Sequence, residues 1–359
     1  MNAEYRNPKS EAFFAHSSVL PSPATRDENG DYIFNEAGVT AIKTELANGR
    51  GVTFAALVDG RMNYQNWATY NITNNANHVI TVVGYDDNYP KENFAQVDNI
   101  TGETQADSIP PTDGAFLIKN SYGEWGIDDS GYFYISYYDQ SITQPISYSF
   151  EKSDSVVCTN PNYDQYDMLM IGWYANKDYD SETKTANVFE AEMDESLYRI
   201  AYKTPLPDTS VHYEIYKDVE DDKPDSGKLL EKGDNTHKWP GYYNLDLKNK
   251  YKLKKGEKYS IVLTMTYEDN SGNIRYTDVI SYANNLEAGA TVKGVINKGE
   301  SYLFTNDKWN DLVDAKDDLA IQAYKQNQLD NMYDAFKAHC LNDIAVDNFP
   351  IKAVLIPEN

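Results

Sequence analysis

From about residue 166 to 325 the apolar side chains of this chain fall mostly at every second position. Val211, Tyr213 and Ile215 alternate with polar neighbours. So do Tyr243, Leu245 and Leu247, and again Tyr259, Ile261, Leu263, Met265 and Tyr267. A period of two sets one face of a pleated strand on a core and the other on solvent, whereas a helix needs its apolar stripe at 3.6. Turn-forming clusters such as Asp221-Asp222-Lys223-Pro224-Asp225-Ser226-Gly227 punctuate these runs, and short alternating strands between such turns predict a β-sandwich. The chain also carries 30 tyrosines, a residue suited to strands that are half buried and half wet.

The region before it reads as one helix and a set of strands. Residues 1–35 are rich in turn signals: Asn7-Pro8, Pro21-Ser22-Pro23 and Asn29-Gly30. Val39, Ile42 and Leu46 then sit at helical spacing, with Gly49 placed to end the helix. Apolar runs at residues 52–58, 78–85, 115–120 and 131–138 predict four strands of an antiparallel sheet or barrel. Residues 141–165 are polar and turn-rich, a boundary. Residues 318–342 carry Leu319, Tyr324, Leu329, Met332 and Phe336 among polar residues and read as helix, and residues 349–357 as a short strand. The expected fold class is mainly β (α+β). Its divisions are 1–145, 146–326 and a helical C-terminal tail at 327–359.

Charge excludes some partners. There are 56 Asp and Glu against 32 Lys and Arg, a net charge of −24, so a phosphate backbone is repelled and nucleic acid is not an expected partner. The longest uncharged apolar stretch, residues 51–58, is too short to cross a bilayer. The two cysteines, Cys158 and Cys340, have no metal-ligand spacing; a disulfide between them stays open, with nothing local to support it. His16, His212, His237 and His339 show no metal spacing either. Asp86-Asp87-Asn88 lacks the alternating ligands of a calcium loop and reads as a solvated turn. No cofactor and no metal is expected. Trp173 and Trp239 suit stacking on sugars or packing in turns, with packing preferred.

Two segments carry chemistry. One is Asn77-His78-Val79-Ile80-Thr81-Val82-Val83-Gly84-Tyr85; the other is Lys119-Asn120-Ser121-Tyr122-Gly123-Glu124-Trp125-Gly126, followed by Gly131-Tyr132. Each puts a polar residue at the end of an apolar strand, a rigid mount for a side chain that must hold one orientation. The first resembles the histidine segment of papain-like cysteine peptidases and the second the asparagine segment of that family. The resemblance implies a papain-like right-hand β-barrel half-domain, with His78 as the imidazole partner of a cysteine and Asn120 as its orienter. It implies a peptide or protein as substrate. Tyr166, the Ala186-Asn187-Val188-Phe189 run, Gly241-Tyr242-Tyr243 and the 253–259 run resemble, more loosely, the lectin-like β-sandwich that follows the peptidase domain in some bacterial cell-surface cysteine peptidases. That implies a cell-surface glycan as a further partner. It also implies an extracellular or surface location, with a signal peptide upstream.

The chain departs from the family in three places. Tyr122 stands where the family has Trp, and only Glu124 separates Gly123 from Trp125 where the family has two residues. The family's Gln…Cys-Trp segment is missing; with His and Asn roughly 130–150 residues after the Cys, it would fall before Met1. Cys158 has no helix N-terminus to activate it. Cys340 adjoins His339 on an expected helix, where neighbours do not face each other. The expectation is a cysteine-type peptidase whose thiol lies upstream, this chain alone being inactive. The alternatives are a catalytically dead relative that binds surface glycan or protein, and a second chain that completes the site in trans.

Overall fold

In the computed structural model, residues 12–58, 60–98, 100–152, 161–168, 173–175, 178–284, 293–326 and 344–358 are described. The protein is mainly β, with 50% strand and 10% helix. It divides into two compact units, Phe14–Phe150 and one that includes Glu151–Asn359.

The first unit is a half-barrel sheet. Its strands are β1 (Ala12–Val19), β2 (Ala24–Arg26), β3 (Tyr32–Phe34), β4 (Gly51–Ala56), β5 (Met62–Asn63), β6 (Ala68–Thr69), β7 (His78–Asp86), β8 (Ala115–Lys119), β9 (Tyr132–Ser136) and β10 (Thr143–Lys152). The order across the sheet is β1-β10-β4-β7-β8-β9-β6-β5. The apolar runs become strands because alternate residues find one core: Val52, Phe54, Ile80, Val82, Phe116, Ile118, Phe133 and Ile135 are all buried. Helix α1 (Glu36–Ala47) turns Val39, Ala41 and Ile42 inward. Gly49 follows with φ +74, the left-handed conformation that stops a helix. Buried Glu45 on the helix takes a salt bridge from Arg50 at 2.9 Å.

The sheet runs further than the sequence suggests. Residues 141–165 read as a polar boundary, yet within them Ile146, Ser147 and Tyr148 of β10 pair with Thr53, Val52 and Gly51 of β4. Pro145 and Ser147 are buried, and the two compact units divide after Phe150, inside that boundary segment.

In the second unit, eight strands form one sheet: Asp178–Tyr179, Lys184–Glu190, Thr209–Lys217, Lys228–His237, Lys258–Glu268, Ile274–Thr277, Ser301–Thr305 and Lys308–Asp311. Facing residues come from Asn162–Asp164, Glu195–Thr204, Gly241–Leu253 and Lys352–Pro357. One apolar core is shared between them: Val211, Tyr213, Ile215, Tyr259, Ile261 and Leu263 from the first set, and Leu197, Ile200, Tyr202, Leu253 and Leu355 from the second. The period-two residues of the sequence are thus its inner face. Helix α2 (Leu312–Gln326) buries Leu312 and Leu319 in the same core.

The separate helical tail expected at 327–359 is not what its described part forms. Residues 327–343 lie outside the described residues, as do Cys158, Cys340 and His339. Ile344–Val346 pairs with Ile280–Asn284, and Lys352–Pro357 pairs along Glu195–Thr204. Asn187 holds the connection by donating its side-chain N–H groups to the Phe349 and Ile351 carbonyls at 3.0 and 2.9 Å. A segment paired on both edges, with Glu195–Thr204 and with Asn162–Asp164, and with Ala353, Val354 and Leu355 buried belongs to the sandwich.

Candidate functional site

His78 opens β7 and pairs with Ala56 at the end of β4. Asn77 fixes that junction. Its backbone N–H donates to the Ala56 carbonyl at 3.1 Å. Its side chain accepts from the Val58 N–H at 2.9 Å and donates to the Val58 carbonyl at 3.1 Å. A carboxamide bonded to both polar groups of one residue mimics a strand neighbour, and so it extends the ladder by one pair past Ala56. The residue before His78 is therefore a clamp, a role the sequence hints at only by placing Asn directly ahead of the histidine.

Asn120 follows β8, four strands after β4 along the chain but adjacent to β7 in the sheet. Its backbone N–H donates to the Gly131 carbonyl at 2.8 Å, closing the loop that β8 and β9 share. The side chain is 4% exposed. Its Oδ1 lies 2.9 Å from His78 Nε2 and accepts the Ser121 backbone N–H at 2.8 Å. The second bond decides the chemistry of the first. An atom that accepts a backbone N–H is the carbonyl oxygen of the amide, so His78 Nε2 must bring the hydrogen. The neutral ring is then held as the Nε2–H tautomer, which leaves Nδ1 with a lone pair.

A stack of rings covers the pair. Tyr122 lies over the His78 ring at 5.0 Å with an interplanar angle of 27°. Trp125 meets Tyr122 edge-on at 5.5 Å, Phe133 at 5.4 Å and Trp67 at 4.8 Å. Trp125 thus anchors Tyr122 to the barrel core. Tyr122 remains 46% exposed, so its cover over the His78–Asn120 bond is partial.

The loop is tight, as its missing residue leads one to expect. The Gly131 N–H donates to the Trp125 carbonyl at 2.5 Å. Gly126 has φ +82, and a Cβ there would sit 2.2 Å from the Tyr132 carbonyl oxygen. Only glycine fits that approach. Lys119, next to Asn120, donates to the Ser130 carbonyl and lies 4.6 Å from the Tyr132 ring centroid, so it serves the loop.

Elsewhere the polar residues singled out in the sequence are bound up locally. His212 Nδ1 meets Asp234 Oδ1 at 2.8 Å across a strand pair. Asp87 takes Lys43 at 2.6 Å and the Tyr137 hydroxyl at 2.8 Å, and these contacts hold its carboxyl below the usual range. The Trp239 carbonyl accepts the Tyr243 hydroxyl at 2.7 Å. The strand Trp173–Ala175 is described but the Trp173 side chain is not. Among the described residues no three His, Cys, Asp or Glu converge as metal ligands, and no helix is long and apolar enough to cross a membrane.

Residues 164–325 match the family model described as a lectin-like domain. Among solved structures, the chain is similar to a clostridial cysteine protease, Cwp84, after propeptide cleavage. Identity is 22% and the TM-score 0.65, with 99% of this chain and 74% of that chain covered. It is also similar, at 22% identity and a TM-score of 0.64, to the cysteine protease and lectin-like domains of Cwp84, a surface layer associated protein of Clostridium difficile; 99% of this chain and 66% of that chain are covered. No curated protein sequence matches the chain. The fold is that of a peptidase-like region followed by a lectin-like domain.

Proposed function

We propose that the half-barrel is the imidazole-and-amide side of a cysteine-type peptidase site, with the thiol supplied from a segment that is not among these 359 residues. The observation that carries this reading is the 2.9 Å contact between His78 Nε2 and Asn120 Oδ1, with the amide oriented by Ser121.

The chemistry follows from the tautomer. A thiol is mostly protonated near neutral pH, while the thiolate is the nucleophile. His78 Nδ1, with its lone pair free, takes the thiol proton; the imidazolium then stabilises the thiolate and later protonates the leaving amine. Asn120 is neutral, so it fixes the ring without drawing the proton toward itself. A carboxylate in its place would stabilise the imidazolium more strongly and hold its proton. The substrate is a peptide or protein, and the protein works at or outside the cell surface. The likeness to a surface layer associated cysteine protease supports both.

The test is to complete the chain with a papain-type N-terminal half carrying the Cys-Trp segment and to measure turnover of an unstructured polypeptide. His78→Ala should lower turnover by roughly 10²–10⁴-fold, the range for a lost general acid–base group. Undiminished turnover in that variant overturns the assignment.

A second reading has its own support. Residues 164–325 carry the lectin-like match, and the sandwich has a cleft of about 470 Å³ lined by Tyr166, Glu190, Asp222, Lys258 and Tyr302 among others. Phenols beside carboxylates and a lysine offer the mixed donor and acceptor surface that hydroxyl-rich ligands need. On this reading the protein binds a surface glycan or protein, and the His78 pair is inactive. A glycan array probed with the intact chain separates the two readings. Binding with no turnover in the completed protein favours the second, and turnover with no glycan bound removes it.

A further inference from the structure

A fully buried carboxylate stands behind the loop that Asn77 clamps. Asp139 has no exposed surface. Its Oδ2 accepts the backbone N–H of Asn71 at 2.8 Å and the Asn71 side-chain N–H at 2.9 Å. Its Oδ1 accepts the Ser141 backbone N–H at 3.0 Å and the Ser141 hydroxyl. All of the roughly four acceptor sites of a carboxylate are therefore filled by donors.

Both partners reach onward to the same peptide. The Leu57 N–H donates to Ser141 Oγ at 2.9 Å, and Asn71 Nδ2 donates to the Leu57 carbonyl at 2.9 Å. Ser141 has one hydroxyl hydrogen, which goes to Asp139, so its lone pair is left for Leu57. Leu57 is thus gripped on both sides by groups that Asp139 orients. The next residue, Val58, is the one held by Asn77, and Asn77 adjoins His78. The path Asp139–Asn71/Ser141–Leu57–Val58–Asn77–His78 is a continuous hydrogen-bonded and covalent chain within one unit.

We propose that Asp139 is a positioning residue: its carboxylate fixes the Leu57–Val58 wall and, through Asn77, the orientation of the His78 ring toward Asn120. This rests on the reading of His78 as the imidazole of the site. The carboxylate is suited to the task because a neutral group cannot accept four donors. An amide or a protonated acid presents a hydrogen where a donor already points, and one branch of the grip must open.

Protonation is therefore a second route to the same loss. Burial outweighs the four donors and pushes the Asp139 carboxyl up to about 6. Two phenols are close to it, Tyr32 of β3 and Tyr70 after β6; each is raised chiefly by burial and further by the nearby Asp139 charge. Beyond them, Arg26 acts on Tyr32, and Arg61 and Asp107 act on Tyr70. None of these charged side chains bonds the carboxylate.

The test uses the intact chain labelled with ¹⁵N. In the wild type at pH 7.5 (about 1.5 units above the carboxyl, so largely ionised) His78 should show the Nε2–H tautomer, and the Leu57 and Val58 amides should be protected from exchange. Asp139→Asn should raise the share of the other tautomer several-fold. It should also speed exchange at Leu57 and Val58, while the barrel amides of Val82 and Ile118 stay as they were. Ser141→Ala, which keeps the carboxylate and its Asn71 bonds, should do the same more weakly, and so carries the test where Asp139→Asn fails to fold. An unchanged tautomer ratio in either folded variant overturns the proposal. Failure of both to fold also overturns it, since the residue would then be structural alone. Full turnover of His78→Ala in the completed enzyme would sink the peptidase reading instead, while leaving the tautomer coupling to stand or fall by itself.

Discussion

In the half-barrel, two polar side chains from adjacent strands meet at 2.9 Å under an aromatic ring, and a buried carboxylate stands behind one of their mounts. In the sandwich, the comparably buried Asn187 gives both side-chain N–H groups to the Phe349 and Ile351 carbonyls, and its Oδ1 accepts the Ser301 hydroxyl at 2.6 Å. The two amides are chemically the same group. Asn187 ties backbone to backbone and has nothing left to direct at a reactant. Asn120 accepts one backbone N–H and one imidazole N–H, and its own Nδ2 finds no partner among the described residues. A buried donor without an acceptor costs about 1–3 kcal/mol. On the proposed reading Asn120 leaves that donor open because its amide is placed for the imidazole, whereas Asn187 is wholly used in holding the fold.

The largest way to break this comparison is His78→Ala, with its roughly 10²–10⁴-fold expected loss of turnover in the completed protein. The matching change in the sandwich, Asn187→Ala, should leave turnover alone and lower stability, because it removes three buried side-chain hydrogen bonds. A urea titration followed by far-ultraviolet circular dichroism measures the second effect. Equal loss of turnover in both variants would mean that lost stability, and not the lost imidazole, accounts for the effect.

Next in size is the pH dependence of stability set by Asp139. Its folded pKa, about 6, lies above the usual 3.8. Between those values the native state binds the proton and the unfolded chain has released it, so the native state gains relative to the unfolded one as pH falls. The contribution is fully present below about 4 and is lost as pH rises through about 6. Two units correspond to about 3 kcal/mol. Asp139→Asn lacks this titration. The stability of the wild type relative to Asp139→Asn should fall by that order between pH 4 and pH 7, read from urea midpoints. A pH-independent difference would place the carboxyl near its ordinary value. Stability and geometry move in opposite directions here: acid favours the folded state through this group, while it opens the grip on Leu57.

A pair of glycines sharpens the contrast further. Gly126 beside the site and Gly256 in the sandwich both have φ +82. A Cβ on Gly256 would meet nothing within 4 Å, whereas one on Gly126 would strike the Tyr132 carbonyl at 2.2 Å. Gly256→Ala should cost about 1–2 kcal/mol, the backbone term alone. Gly126→Ala adds a backbone clash and should cost more than that, with His78 and Tyr122 resonances displaced. Equal costs in thermal unfolding would show that the Asn120 loop moves aside freely.

How far the sequence reaches also differs between the units. The strands of the half-barrel were legible because Val52, Phe54, Ile80, Val82, Phe116 and Ile118 are apolar on one face and sit in unbroken runs. His78 and Asn120 stand at the ends of such runs, in segments that resemble those of a known family, and the structure brings the two side chains to 2.9 Å. The inner face of the sandwich was legible from Tyr259, Ile261 and Leu263. What stayed hidden has a common cause. Asn71, Asp139 and Ser141 are turn-type residues in the sequence, and nothing local says that they converge behind Leu57 across 68 and 84 residues of chain. The polar letters of residues 141–165 mark a boundary, although β10 within them pairs with β4. The short strand expected at 349–357 forms at Lys352–Pro357, but its partner, Glu195–Thr204, is too remote in sequence to be named from it. Periodicity reports which face a residue takes; it carries no information on which distant strand it will meet.

The smallest effect belongs to Tyr122. The ring stacks on His78 yet is 46% exposed, and its edge contact with Trp125 fixes its position. Tyr122→Ala removes a stacking contact of about 0.5–1.5 kcal/mol and should loosen the pair, lowering turnover of the completed protein several-fold without abolishing it. Tyr122→Trp enlarges the cover and should slow exchange of the His78 Nε2–H with water. Were the relative an inactive one, its cover would be under no such demand, and Tyr122→Trp would leave that exchange unchanged. The proton on His78 Nε2 is thus the most local place to ask whether this half-barrel still protects a hydrogen bond that matters only for chemistry.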